Sequence, residues 1–424
     1  MGSLEKTAMD LTGIERAGPK TYIRQIFPLK LDENYDIEKT QKENSPGCLR
    51  CRGFPEDRIG LVTVKDLRAP HAFPFTFDQI RARKFSLSCF DDAVLLNKSI
   101  WPSVTNEMPA TSLQINYIRG GVLLGWCTLH MIGDAFTYFV WAKVWAEECR
   151  RMQGIEISDP FVLDDAMVTD REIIMKATGR HNGKAIEPYL GIFVVPVAPT
   201  SVPAGMLSPT HRAQIFYFSP ESLAALKADA NDAFAALNWR ATMSVQAPVE
   251  SLKDGEEEDS IYAIAVNLRA RSQPLAHPHA LGCWLGYLAV RAPIRKLLTV
   301  YNLADIAGLV RNRMEDLDNN YADKMLSIID NLDDVNRFVP TVFFNMMSTS
   351  ILATSWADSD LYNVVWGPMF GGKIEAVRMS NSGISPGTVL VLPRLPKWRA
   401  GTYGGDRSRI AAQTLRRSCL YEVC

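Results

Sequence analysis

The sequence predicts an α/β protein in two halves, with mixed rather than purely parallel sheets. Three observations point there. Segments that alternate with period two are interspersed with segments of helical spacing, without strict strand–helix alternation. The 424 residues suit two domains of roughly 100–200 residues each. Near the middle, "GIFVVPVAPTSVPAGMLSPT" (191–210) is so rich in Pro, Gly and Ser that it reads as a crossover without regular structure. The expected division is 1–190, a crossover at 191–212, and 213–424, with the last 28 residues irregular.

Taken in order, "KTYIRQIFPLKL" (20–31) and "GLVTVKDLR" (60–68) alternate as half-buried strands do. "SLQINYIRGG" (112–121) alternates and ends in Gly-Gly, a strand running into a hairpin turn. "VLLGWCTLH" (122–130) is the return strand, apolar on both faces and hence buried. "DAFTYFVWAKVWAEECRRM" (134–152) then switches to helical spacing, with Phe136, Phe139, Val140, Lys143 and Val144 on one stripe and basic residues at its end. "AQIFYF" (213–218) reads as a strand and "SPESLAALKADA" (219–230) as a helix capped by Ser219. Residues 231–243, 297–317 and 322–335 read as helices, and 261–274, 341–356, 373–380 and 387–396 as strands.

Composition excludes several classes of protein. The chain is 47% hydrophobic and 22% charged, with a formal net charge of −1. That balance gives no electrostatic pull toward nucleic acid or an anionic membrane. No apolar run approaches the length of a membrane span, and the first residues lack a signal-peptide core, so the expected compartment is the cytoplasm. Cys127 and Cys283 lie in apolar runs and read as small buried residues. Cys48 and Cys51 form a lone C-x-x-C without a second ligand pair, so no metal is expected.

Of the six histidines, only His130 sits where a buried strand meets a helix, in "HMIGDA". Two readings follow from the residues. In one, His130 is a general base, Gly133 lets the chain turn, and Asp134 favours the helix start or pairs with a distant arginine. In the other, His130 is a core residue and Asp134 a simple N-cap. The spacing alone leaves both open.

The segment "LQINYIRGGVLLGWCTLHMIGDA" with its following helix resembles the H-x-x-x-D region of the BAHD acyl-CoA-dependent acyltransferases, in the texture of fungal members. "VNLRARSQPL" (266–275), "WLGYLAV" (284–290), "ATSWADSDLYNVVWGPMFGGKIEAVRM" (353–379) and "GTVLVLPRLP" (387–396) resemble further segments of that family, in its order.

The resemblance implies two chloramphenicol-acetyltransferase-like domains joined by a crossover, with a tunnel between them. It implies acyl transfer, with acetyl as the default, from acyl-CoA to a hydroxyl or amine of a fungal secondary metabolite, by a monomer with no bound cofactor. Its partners would be acyl-CoA and a small-molecule acceptor. His130 would be the base and Asp134 would pair with Arg269 or Arg271. Trp366 and Gly367 would serve the oxyanion, and Thr354 and Ser355 would lie along CoA. Bulky Trp126, Phe136, Tyr138 and Trp284 suggest an apolar acceptor. The alternatives are a non-catalytic relative binding a ligand in the same tunnel, or a condensation-type domain, although Leu129 stands where those carry an extra histidine. After "LDENYDIEKTQK" the family continues with a helix that this chain is expected to lack, and after "LPRLP" with a strand also expected to be missing.

Overall fold

The computed structural model describes residues 10–32, 62–102, 108–183, 186, 190–202, 211–219, 221–222, 224–225, 232–253, 258–344, 349–383, 385, 387–394 and 409–416. Cys48, Cys51 and the stretch after Asp32 where a helix was expected to be missing fall outside them. Two mixed sheets organise the chain. The first holds β1 (Tyr22–Lys30), β2 (Val62–Asp66), β3 (Thr111–Ile118) and β4 (Gly121–Leu129) in the order β1-β4-β3-β2. Only β2 and β3 run parallel there. β3 and β4 form the expected hairpin, and all nine residues of β4 are buried.

The strand β5 (Ile192–Val194) pairs with β9 (Phe338–Pro340). The second sheet holds β6 (His211–Phe218), β7 (Asp259–Asn267), β8 (Leu285–Pro293), β10 (Ser350–Ser355), β13 (Thr388–Leu392) and β14 (Arg409–Arg416) in the order β6-β14-β13-β10-β7-β8. A small ribbon pairs β11 (Val365–Gly367) with β12 (Gly372–Lys373). Among the described residues the helices include α1 (Gly13–Ala17), α2 (Phe77–Ala82), α3 (Asp92–Leu95), α4 (Ala135–Met152), α5 (Asp165–Thr169), α6 (Ala233–Gln246), α7 (Ile294–Thr299), α8 (Leu303–Met314) and α9 (Tyr321–Ile329).

The structure corrects several expectations. Residues 409–416 are not irregular: β14 slots between β6 and β13, bonded antiparallel to both. A strand flanked on both sides is held by backbone bonds, so a basic sequence of weak periodicity still joins the ladder. The stretch 191–210 is not wholly loop, because Ile192–Val194 pairs before its prolines begin. Residues 341–356 divide into a 3₁₀ turn, Thr341–Phe344, and the strand β10. Of residues 373–380, Lys373 ends β12, and the rest run along β1 without forming a strand. Ile26 and Arg378 exchange backbone bonds, and Glu375 N–H donates to Pro28 C=O. Pro28 has no N–H to continue that ladder. The 297–317 helix is two, α7 and α8, because Asn302 starts a new one with a capping box to Asp305. For 219–230, Ser219 Oγ does accept Ser222 N–H (3.1 Å), but much of that helix lies outside the described residues.

The core on one face of the first sheet explains why both ends of the chain matter. Phe27, Ile115, Leu124 and Trp126 from the sheet meet Tyr138, Phe139, Ala142, Ala146 and Cys149 of α4. The buried stripe of α4 is therefore turned from the expected one, and Phe136 is 39% exposed. The same core takes in Trp356, Trp366, Ile374 and Val377, so the segment 356–379 belongs to the N-terminal sheet in space. Conversely, Ile14 of α1 packs with Leu326 of α9, in the core beneath β8.

Candidate active site

The site forms where β4 ends. Tyr22 pairs with Leu129, and His130 N–H makes the next bond, to Thr21 C=O (2.8 Å). Ile132 N–H turns back to Leu129 C=O, and Asp134 then caps α4. The histidine and the aspartate thus stand at the two ends of one strand-to-helix turn. His130 lines a cavity of ≈ 480 Å³. β1 and the start of α4 wall it on one side, and β7, β8, β10 and β13 on the other. The imidazole is half-buried, and burial lowers its pKa, with its own carbonyl and Asp134 pulling the other way. Its Nδ1 lies 3.7 Å from Cys283 Sγ.

Asp134 does two jobs. Its Oδ1 accepts the N–H groups of Phe136 and Thr137, both at 3.1 Å, as an N-cap does. Its Oδ2 accepts from Arg269 (2.6 Å) and from Trp284 N–H (3.0 Å). The arginine is 1% exposed and also donates through Nε to Ala280 C=O (2.7 Å). Burial pushes the Asp134 carboxyl up, but the Arg269 charge and these hydrogen bonds outweigh it, so the group is held below the usual carboxylate range. The arginine that meets Asp134 is Arg269 and not Arg271, because Leu268–Arg271 is a 3₁₀ turn that aims the two side chains differently.

A third segment ties these groups together. Gly282 C=O accepts from Thr137 Oγ1 (2.8 Å) and Arg269 (3.3 Å). Cys283 N–H donates to Glu15 Oε1 (3.4 Å), and Glu15 is buried in an ion pair with Arg171. Gly282 has φ +105°, and a Cβ there would stand 2.5 Å from Glu15 Oε1, so only glycine fits.

The other expected residues fall into two groups. Thr354 and Ser355, at the end of β10, line the cavity, as do Phe136 and Trp284. Trp366 and Gly367 do not. Gln153, beyond the far end of α4, donates to Trp366 C=O (2.8 Å). At about 1.5 Å per residue that end lies roughly 28 Å from Asp134. The Trp366 ring instead packs on Trp145, and Gly367 leaves room for the Gln153 amide, which a Cβ would approach to 2.5 Å. Trp126 and Tyr138 stack on one another in the core (4.3 Å) rather than lining the site. Gly133 is not needed for an unusual turn: a Cβ there would press the Thr137 methyl at 3.1 Å.

Sequence reasoning missed Trp356 and Trp101, which line the cavity, and the contact of Cys283 with His130. Trp284 spends its indole N–H on Leu281 C=O (2.9 Å), whereas those of Trp356 and Trp101 have no protein partner among the described residues. The described residues hold no cluster of three metal-ligating side chains, and no described helix is long and apolar enough to cross a membrane.

Residues 37–140 match the trichothecene 3-O-acetyltransferase-like N-terminal domain family. The crystal structure of F. graminearum TRI101 complexed with Coenzyme A and Deoxynivalenol superimposes with a TM-score of 0.75 at 20% identity, over 97% of this chain and 95% of that one. Among curated proteins, the enoyl-CoA isomerase/hydratase claC of Penicillium crustosum is 27% identical over 317 residues, 67% of this chain and 33% of that protein. The eremophilane O-acetyltransferase prx11 of Penicillium rubens is 24% identical over 300 residues, 63% of this chain and 62% of its own. The chain thus spans one third of the first relative and under two thirds of the second. The fold class and the likeness to fungal BAHD-type acyltransferases expected from the sequence are both borne out.

Proposed function

We propose, on the premise that the fold and motifs are those of the fungal acyl-CoA-dependent acyltransferases, that this chain moves an acyl group from acyl-CoA to a hydroxyl or amine of a fungal secondary metabolite. The observation that carries the reading is His130, held at a cavity between two sheets with Nδ1 turned toward Cys283. That leaves Nε2 for the acceptor. Because burial lowers its pKa, the ring is neutral at pH 7 and ready to take a proton. Nε2 removes the proton as the acceptor attacks the thioester carbon. The tetrahedral intermediate collapses, and the CoA thiolate leaves with that proton.

The intermediate's oxyanion needs a donor, and the indole N–H of Trp356, a residue of the cavity wall, is the candidate in place of Trp366. Asp134 and Arg269 hold the turn and do not relay protons. Thr354 and Ser355 run beside the pantetheine. The working unit is a cytoplasmic monomer without bound metal. Its halves are 1–190 and 213–424, linked by 191–212, with 356–379 crossing back onto the first sheet.

The test is release of free CoA from acetyl-CoA with a panel of apolar polycyclic alcohols and amines, with the products identified by mass. Turnover with at least one acceptor is expected, and His130→Ala should lower it by about 10²–10⁴-fold while leaving the protein folded. A well-folded protein that releases no CoA with any acceptor and any acyl-CoA would make the cavity a binding site only.

A further inference from the structure

Cys283 is 153 residues from His130 in sequence and fully buried, and its Sγ stands 3.7 Å from Nδ1 of that histidine. It does not line the cavity, so it meets the ring from behind. Three backbone anchors fix it. Gly282 C=O is held by Thr137 and Arg269, Cys283 N–H by Glu15, and Trp284 N–H by Asp134 Oδ2. The back of the ring therefore faces a thiol, whose sulfur accepts weakly and whose S–H donates weakly, so the tautomer of the ring decides the direction of the contact.

We propose that Cys283 is a positioning residue for His130. With His130 acting through Nε2, the Cys283 Sγ receives Nδ1–H, keeps the proton on that nitrogen, and leaves Nε2 as the unprotonated atom at the cavity. The proposal rests on His130 being the base, and it gives the Asp134–Arg269 pair a second consequence. By fixing Gly282 and Trp284, that pair sets where the thiol stands. Which ring nitrogen carries the proton is decided by the partner of the other one. A fixed wrong tautomer is costly even where geometry is intact.

The test compares Cys283→Ser and Cys283→Ala with the unchanged chain by kcat, KM, pH–rate profile and the ¹⁵N spectrum of the His130 ring. A serine hydroxyl is a much better donor than a thiol. It can give its proton to Nδ1 and favour the tautomer protonated at Nε2. Cys283→Ser is expected to lower kcat by about 10-fold or more with KM unchanged, and to move the ring nitrogen shifts toward the other tautomer. Cys283→Ala, which only withdraws an acceptor, should lose less and shift the acid limb of the profile. Should Cys283→Ser not fold, the alanine variant's ring spectrum and acid limb carry the test. Folded variants with the original kcat, acid limb and ring spectrum would make Cys283 packing alone and overturn the proposal. If the unchanged chain turns nothing over while the serine variant still switches the tautomer, the positioning stands and the assignment of His130 as base falls.

Discussion

Asp134 shows how one carboxylate can satisfy both readings of its sequence position. It caps α4 and neutralises Arg269 at once. Asparagine keeps the cap and discards the charge, so Asp134→Asn isolates the ion pair. The substitution leaves a buried guanidinium uncompensated and is expected to cost about 3–5 kcal/mol in denaturant unfolding. Changing Arg269 to Met as well should cost less than the sum of the two single changes. The pH dependence has a definite sign. The folded carboxyl sits below the unfolded value of about 3.9, so its stabilisation is present above that pH and fades as pH falls through the lower folded value. The gap in melting temperature between the original chain and Asp134→Asn should therefore close in strong acid. His130 has the opposite chemistry. Its folded pKa lies below the unfolded value of about 6.5, so the acid limb of turnover should fall below that pH, and protonation there should also weaken the fold.

The strand β4 and the helix α4 were legible because each carries an unbroken pattern. What the pattern does not reveal is how closely other segments approach. A Cβ at Gly125 would stand 2.3 Å from Leu95 C=O, a backbone atom at the end of α3 that cannot give way locally. A Cβ at Gly133 meets only the Thr137 side chain at 3.1 Å. Gly125→Ala is therefore expected to lose about 1–3 kcal/mol in urea unfolding, and Gly133→Ala clearly less. Equal losses would mean that the turn before α4 is as rigid as the centre of the sheet. The strand expected at 373–380 failed for an equally local reason. β1 carries Pro28 on the edge that this segment follows, and a proline cannot return the bond.

Across the whole molecule, the two sheets are braced by segments that leave their own half. The stretch 356–379 completes the core of the first sheet, and α1 packs beside α9, where Glu15 reaches Arg171 and the Cys283 backbone. The strand β14 joins β6 to the rest of the second sheet. Ending the chain at Arg394 would leave the facing edges of β6 and β13 without partners. Such a chain is expected to be insoluble, or to lack the cooperative melt of the full chain by circular dichroism. A soluble, cooperatively melting product would show that β6 is dispensable to the second sheet.

The local patterns alone decided the hairpin β3–β4, the helix that follows and the H-x-x-x-D turn between them, because alternation, glycine placement and helical spacing act over a few residues. They also exposed the motifs whose order marks the likeness to a family. Tertiary structure alone decided which arginine meets Asp134, that Trp101 and Trp356 line the cavity while Trp366 does not, and that a cysteine backs the histidine. Each depends on how a short irregular turn is aimed by distant neighbours. The same holds for β14: its ladder is made by the strands on either side, and no periodicity within eight residues records their presence.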